Sequence, residues 1–304
     1  MSSVPHLYTL TGNLLAERTL EFKDWEIGRT QRAVGEVFHT RGKGINVSNM
    51  LTRLGAPNTA LFFAGGAPGA ESEAWLKQRG IAYQAFATQA ASRTGTVIWS
   101  EARPETTFLG PDVVPDAAAL TACAAWLDRV PAGQVLALCG SFPGWAGGEF
   151  SPLRGAIERW LQRGVVVADA YGPPLAWLAR LPLTLVKINR QEFDAFAPAA
   201  ASGISLSERL RQIRATHPVC NWIVTDGAAS IWLAPSLGEP MEFHPPRLKE
   251  VSPTGSGDVF LACLIQAHFQ QGQPLPDAIR HALPYAAANA AHPGVADFPL
   301  PLAR

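Results

Sequence analysis

Charge is scarce and balanced. Only 16% of the 304 residues are charged, 25 acids against 25 bases, so the formal net charge is zero. A surface for nucleic acid or for an anionic membrane needs a basic excess, and this chain has none. Cysteine is equally sparse. Cys123, Cys139, Cys220 and Cys263 are scattered without CxxC spacing, which argues against a thiolate metal site or a disulfide framework. They read as reduced, buried, small hydrophobes. No apolar run is long enough to span a bilayer. Met1–Pro5 leads into no secretory h-region, so a cytoplasmic protein is expected. The phosphate loop GxxxxGK[ST] is missing, and no GxGxxG fingerprint is satisfied. No repeat, linker or low-complexity tract marks a break, so one domain over 1–304 is expected.

What is present is apolar. Hydrophobic residues make up 47%, ample for a sizeable core. VLALCGS (135–141), VVVADA (165–170), LTLVKIN (183–189) and NWIVTDG (221–227) read as buried strands. Helical patterns such as 148–164 and 205–217 separate them. The alternation predicts an α/β fold, a parallel sheet with helices on both faces. Ligands in such sheets lie beyond the carboxyl ends of the strands. Gly140–Ser141, Asp169, Lys187–Asn189 and Asp226–Gly227 fall at such ends. RTLEFKDWEIG (18–28) and TQRAVGEVFHT (30–40) alternate without helical period, and residues 93–110 offer a further strand pair. These predict a small antiparallel accessory sheet. The Pro-rich patches 173–182 and 293–301 read as loop and tail.

Two glycine turns carry chemistry. In VSPTGSGDVFLACLI (251–265), Gly255, Ser256 and Gly257 stand directly before the lone acid Asp258 and an apolar run. Such a turn opening a helix leaves backbone N–H groups unpaired and aligned with the helix dipole, a site for phosphate. Small side chains admit close approach. A carboxylate there would repel phosphate, and makes sense as the base that deprotonates a hydroxyl attacking phosphorus. Alone, the same residues also fit a glycine C-cap followed by an Asp N-cap without chemistry. In RGKGINVSNML (41–51), Gly42 and Gly44 flank Lys43, and Asn46 follows. A lysine at a helix start is electrostatically poor, which suggests an anionic ligand or a solvated turn.

GKGINVS and TGSGD together resemble the two signatures of the PfkB (ribokinase-like) carbohydrate kinase family, nearest its 1-phosphofructokinase and tagatose-6-phosphate kinase branch. CGSFP (139–143), VKINRQEF (186–193), VTDGAAS (224–230) and AAANAAHPG (286–294) match further family segments in the same order. The resemblance implies a three-layer α/β/α sandwich with a mostly parallel sheet and a small antiparallel β lid, drawn from about 17–40 and 93–110. It implies ATP-dependent phosphorylation of a sugar or sugar-phosphate hydroxyl. Asp258 would be the base, with Gly255, Ser256 and Gly257 as anion hole. Gly42, Lys43, Asn46 and the residue aligned as Glu17 would contact the acceptor. Arg93 would grip its phosphate, with Ser141 donating, although alone these also fit a solvated strand arginine and a turn serine. Lys187 would reach the ATP phosphates, Thr225 and Gly227 would flank the nucleotide, and Asn289 the adenine. Asn189 and Glu192 would order Mg²⁺ through water. A homodimer through the lid would cover its apolar face.

The departures concentrate on the acceptor side. NLLAE (13–17) puts Leu14 and Glu17 where the branch has Pro and Asp. Arg41 replaces the glycine before GKG, and Pro253 precedes the second motif, removing an N–H donor. Arg41 beside Lys43 and Arg93 predicts an anionic acceptor. These changes also motivate a second reading, a nucleotide-binding relative with altered or lost acceptor activity, against which the retained Asp258 argues. A nucleoside kinase of the same fold is a third.

Overall fold

The computed structural model describes residues 4–198 and 203–300. The ends of the expected 1–304 extent, and residue 301 of the expected tail, lie outside the described residues. The chain opens with β1 (Leu7–Thr11), β2 (Leu15–Glu21), β3 (Gly35–Arg41), α1 (Lys43–Arg53), β4 (Asn58–Ala64), α2 (Gly66–Gln78), β5 (Tyr83–Ala87), β6 (Arg93–Ser100) and β7 (Arg103–Leu109). Then come α3 (Ala117–Arg129), β8 (Val135–Gly140), α4 (Ser151–Leu161), β9 (Val165–Ala170), α5 (Pro173–Leu178), β10 (Leu185–Asn189), α6 (Arg190–Phe196) and α7 (Leu206–Thr216). Three strands and two helices close it: β11 (Trp222–Asp226), β12 (Ser230–Ala234), β13 (Met241–Phe243), α8 (Ser256–Ile265) and α9 (Leu275–Ala290).

Nine strands form one sheet in the order β13-β12-β11-β10-β9-β8-β1-β4-β5. The seven from β11 to β5 run parallel, and β12 and β13 add antiparallel. The period of two along β8 divides the core. Leu136 and Leu138 pack with Trp160 and Phe193 on one face, while Val135, Ala137 and Cys139 pack with Phe260, Leu264 and Ile279 on the other. Every position of β8 is buried, as a strand covered on both faces requires. Each fully buried aliphatic side chain contributes roughly 1.5–3 kcal/mol. The packed layers therefore fix where α1 and α8 present their first turns. Helices thus cover both faces of the sheet in a layered α/β/α arrangement.

The second sheet has the order β3-β2-β6-β7. Its outer pairings are antiparallel, while the central pair β2–β6 is parallel. Both strands leave the carboxyl end of a main-sheet strand, β1 and β5, by short connections, so they run outward side by side. Residues 22–34, inside the expected strand segments, are irregular, with Gly28 at φ +83°.

Two local expectations are corrected. The patch 173–182 holds a helix, α5, because prolines at its first positions lack an N–H that a helix start leaves unpaired anyway. Cys220 is exposed, whereas the other three cysteines are buried; it precedes β11 rather than lying within it. Among the described residues no helix is long and apolar enough to cross a membrane.

Candidate active site

The two glycine turns meet. α1 and α8 lie side by side on one face of the main sheet, with their N-termini at its carboxyl edge. Gly42 caps α1 at φ +129°, and a Cβ there would stand 2.6 Å from Thr11 Cγ2. Helix–strand packing at this point therefore leaves no room for a side chain at Gly42. Helix α1 begins at Lys43, so Lys43 and Asn46 share its first turn. Gly255 caps α8 at φ +74°, in the left-handed region that favours glycine. A Cβ on it would meet Val295 Cγ1 at 2.3 Å. Gly257 borders the network: a Cβ there would stand 2.9 Å from Lys187 Nζ.

Asp258 sits in the first turn of α8 and is buried. Its Oδ2 accepts a hydrogen bond from Asn46 Nδ2 at 2.7 Å. Burial, reinforced by the negative Asp169, pushes its pKa up to about 6, against the opposing pull of Lys43 and Lys187. Behind it lies a network of two further carboxylates and two ammonium groups. Asp169, fully buried at the end of β9, accepts from Lys43 Nζ and from Lys187 Nζ, each at 2.8 Å. Lys43 Nζ also donates to Glu192 Oε1 at 2.9 Å and lies over the Tyr171 ring. Burial alone would lower the Lys43 pKa, but Asp169, Glu192 and Asp258 outweigh it and raise it. Burial likewise opposes ionisation of Asp169, and the two lysines overcome it, holding its carboxyl below the usual range.

A cavity of about 680 Å³ opens over this network. Lys43, Lys187, Asn189, Thr225, Gly227 and the turn Gly255–Asp258 line it, and Pro245, Leu248 and Ala287 form an apolar flank. The Ser256 amide donates to the Pro253 carbonyl at 3.2 Å. The amides of Gly255 and Gly257 have no such backbone acceptor among the described residues, so the cradle is narrower than the three donors expected. Asn289 is held by the protein itself. It is buried, donates to Thr254 O at 2.9 Å and Ser256 Oγ at 3.1 Å, and accepts from the Ala296 amide at 2.7 Å. It braces the glycine turn from behind, and Ala286, Ala287, Ala290 and Ala291 of the same segment line the cavity instead.

The acceptor-side groups are engaged with each other. Glu17 Oε1 accepts from Arg41 Nε at 3.1 Å, both side chains nearly buried. The two departures from the family pattern therefore compensate one another across β2 and β3. Arg93 donates to Asp112, and Ser141 Oγ accepts from Asn13 Nδ2 at 3.2 Å. Lys43 points to the carboxylates behind the cavity, not to an acceptor crevice. Each of the three cations is thus paired with a carboxylate, as a cation taken from water requires. Above, Glu105 of β7 accepts from Thr254 Oγ1 at 3.4 Å, joining the small sheet to the glycine turn. Burial and the nearby Glu17 raise the Glu105 pKa.

A family model described as pfkB family carbohydrate kinase matches residues 18–302. The chain belongs to that family. The 1-phosphofructokinase of Borreliella burgdorferi is 25% identical over 96% of this chain and 94% of its own length. The D-tagatose-1-phosphate kinase of Bacillus licheniformis is 26% identical, again over 96% and 94%. Phosphofructokinase-2 from Escherichia coli, solved in complex with fructose-6-phosphate, matches with a TM-score of 0.84 at 20% identity, covering 94% of both chains. That likeness speaks for the fold.

Within this pfkB kinase, sequence reasoning gave Asp169 no role beyond its strand-end position and missed Asn13, Asp112 and Glu105. Asp169 stood at a strand end, which was a usable signal, but its two lysine partners come from α1 and β10. Asn189 and Glu192 form a capping box on α6: Asn189 Oδ1 accepts from the Glu192 amide at 2.8 Å, and Glu192 Oε2 from the Asn189 amide at 3.0 Å. Among the described residues no group of three or more His, Cys, Asp or Glu could hold a metal ion. The donor set suits outer-sphere contact, since each Glu192 oxygen keeps a lone pair for a water on a hydrated ion.

Proposed function

We propose that this protein transfers the γ-phosphoryl group of ATP to a hydroxyl of a sugar phosphate, of the hexose-phosphate kind named for its relatives. The observation that carries this reading is the position of Asp258. It lies in the first turn of α8, lines the large cavity and accepts a hydrogen bond from Asn46 of α1. ATP occupies the cavity with its phosphates toward Gly255 and Gly257, flanked by Thr225 and Gly227. The acceptor lies beneath the small sheet, near Glu17 and Arg41. Asp258 takes the proton of the attacking hydroxyl, and Asn46 orients the carboxylate. The amides of Gly255 and Gly257, with Lys187 and Lys43, face the charge that develops on the moving phosphoryl group, where one such donor is worth about 3–4 kcal/mol. Mg²⁺, when bound, would neutralise phosphate charge, its waters held by Asn189 and Glu192. The small sheet acts as a lid that keeps water from competing with the sugar. Arg93 and Ser141 serve the acceptor's existing phosphate.

The test is an ATP-consumption screen over sugars and sugar phosphates, with Asp258→Asn as blank. Turnover with phosphorylated hexoses, and little with the free sugars, is the expected result. ATP binding without turnover on any acceptor would favour the reading of a binding protein that has lost acceptor activity.

The small sheet exposes Val37, Phe108 and Leu109, each more than half accessible. A homodimer that pairs two such sheets covers them. Sedimentation is expected to give a dimer for the wild type and a lighter species for Phe108→Glu; a wild-type monomer at tens of micromolar would sink this pairing.

A further inference from the structure

An exposed carboxylate stands in the place of an anion. Asp112, on the connection between β7 and α3, is 59% exposed at its side chain. Its Oδ1 accepts from Arg93 Nη1 at 3.0 Å and from Asn13 Nδ2 at 2.8 Å. Asn13 is buried, and its Nδ2 also reaches Ser141 Oγ. Four segments thus converge: the β1–β2 connection, the start of β6, the end of β8, and the connection carrying Asp112. Arg93 Nε is buried and has no partner among the described residues. The guanidinium fork, whose shape fits two oxygens of one phosphate, is therefore only part used by its carboxylate. A narrow crevice lined by Gly12, Asn13 and Arg93 lies alongside.

We infer that Asp112 is a displaceable counter-ion for this fork, set to compete with the phosphate carried by the acceptor and so to tune affinity for it. The inference rests on the sugar-phosphate reading above. Three observations support displacement over a permanent tie. The carboxylate end of the pair is exposed, and water competes for Asp112 while the Arg93 side chain stays largely buried. A single carboxylate oxygen makes both contacts, whereas a phosphate offers three oxygens and a larger charge. The buried Nε has no partner among the described residues, a donor left over that a larger anion can meet. In the free protein the carboxylate keeps Arg93 and Asn13 in place and discourages small monovalent anions. A sugar phosphate replaces it and turns it out to solvent.

The test separates this inference from the proposed activity. Inorganic phosphate is titrated calorimetrically into protein saturated with ADP, so that the nucleotide cavity is filled. Asp112→Asn, with Asp112→Ser as a second variant, is expected to bind phosphate about three- to tenfold more tightly than the wild type. Arg93→Ala abolishes that binding. The KM for a phosphorylated acceptor falls in parallel in Asp112→Asn, while kcat stays within about twofold. Equal, weaker or undetectable phosphate binding in both Asp112 variants overturns the inference, as does binding that persists in Arg93→Ala. If no sugar phosphate is turned over but the Asp112 variants still gain phosphate affinity, the acceptor assignment has failed and the counter-ion stands.

Discussion

Asp258→Asn is expected to lower turnover a hundredfold or more, leave nucleotide affinity nearly unchanged, and cost no thermal stability. The first part follows from losing a positioned base, a contribution of about 10²–10⁴-fold. The last follows from the same burial that makes the base effective. The carboxyl pKa stands at about 6 in the folded protein, above the ordinary 3.8. Between those values the folded state binds the proton more tightly than the unfolded chain does. The group's stabilising contribution is therefore full below about 3.8 and is lost as pH rises through 6. At pH 7 the buried charge costs on the order of 1–3 kcal/mol. Asparagine carries no charge and can still accept from Asn46, so the melting temperature should hold or rise. In the wild type the base is spent by protonation, so kcat should fall about tenfold per pH unit below 6. It is read at saturating acceptor, because a phosphate monoester titrates in the same range. A variant within tenfold of wild-type turnover, or one markedly less stable, would remove Asp258 from the role of base.

The parts of this site that were legible in the sequence are those written in one short segment. The glycine turn before Asp258 announces itself because a left-handed cap, unpaired amides and a carboxylate all fall within four positions. The strands were legible because both faces of the sheet are covered, which makes each strand a continuous apolar run. What stayed hidden depends on pairing across the chain. Glu17 and Arg41 each look like damage to an acceptor site when read singly; set diagonally across β2 and β3 they form one ion pair. Asn289 sits in a segment that does line the cavity, yet its amide turns toward the glycine turn, and no periodicity distinguishes those orientations. The parallel β2–β6 pairing was hidden for the same reason, since alternation marks a strand without fixing its neighbour's direction.

Asp169→Asn should destabilise the protein by about 3–5 kcal/mol, the cost of leaving buried charges without their partner. That corresponds to a fall of roughly 6–10 °C in melting temperature for a chain of this length. The reasoning begins from Asp169 being fully buried between two ammonium groups at 2.8 Å. An asparagine can accept from one lysine, but its amide hydrogens then face the other, and two like charges remain side by side with their shared partner gone. Glu192 relieves Lys43 alone. Two further outcomes belong to this account rather than to a merely loosened core. Lys43→Met in the Asp169→Asn background should restore part of the loss, because it removes the surplus charge. Saturating ATP should raise the melting temperature more in Asp169→Asn than in the wild type, since Lys43 and Lys187 line the cavity and the nucleotide phosphates bring the missing negative charge. Equal ATP-induced shifts in the two proteins would show that the lysines do not meet the phosphates. A melting temperature unchanged by the substitution would show that water, not Asp169, balances them.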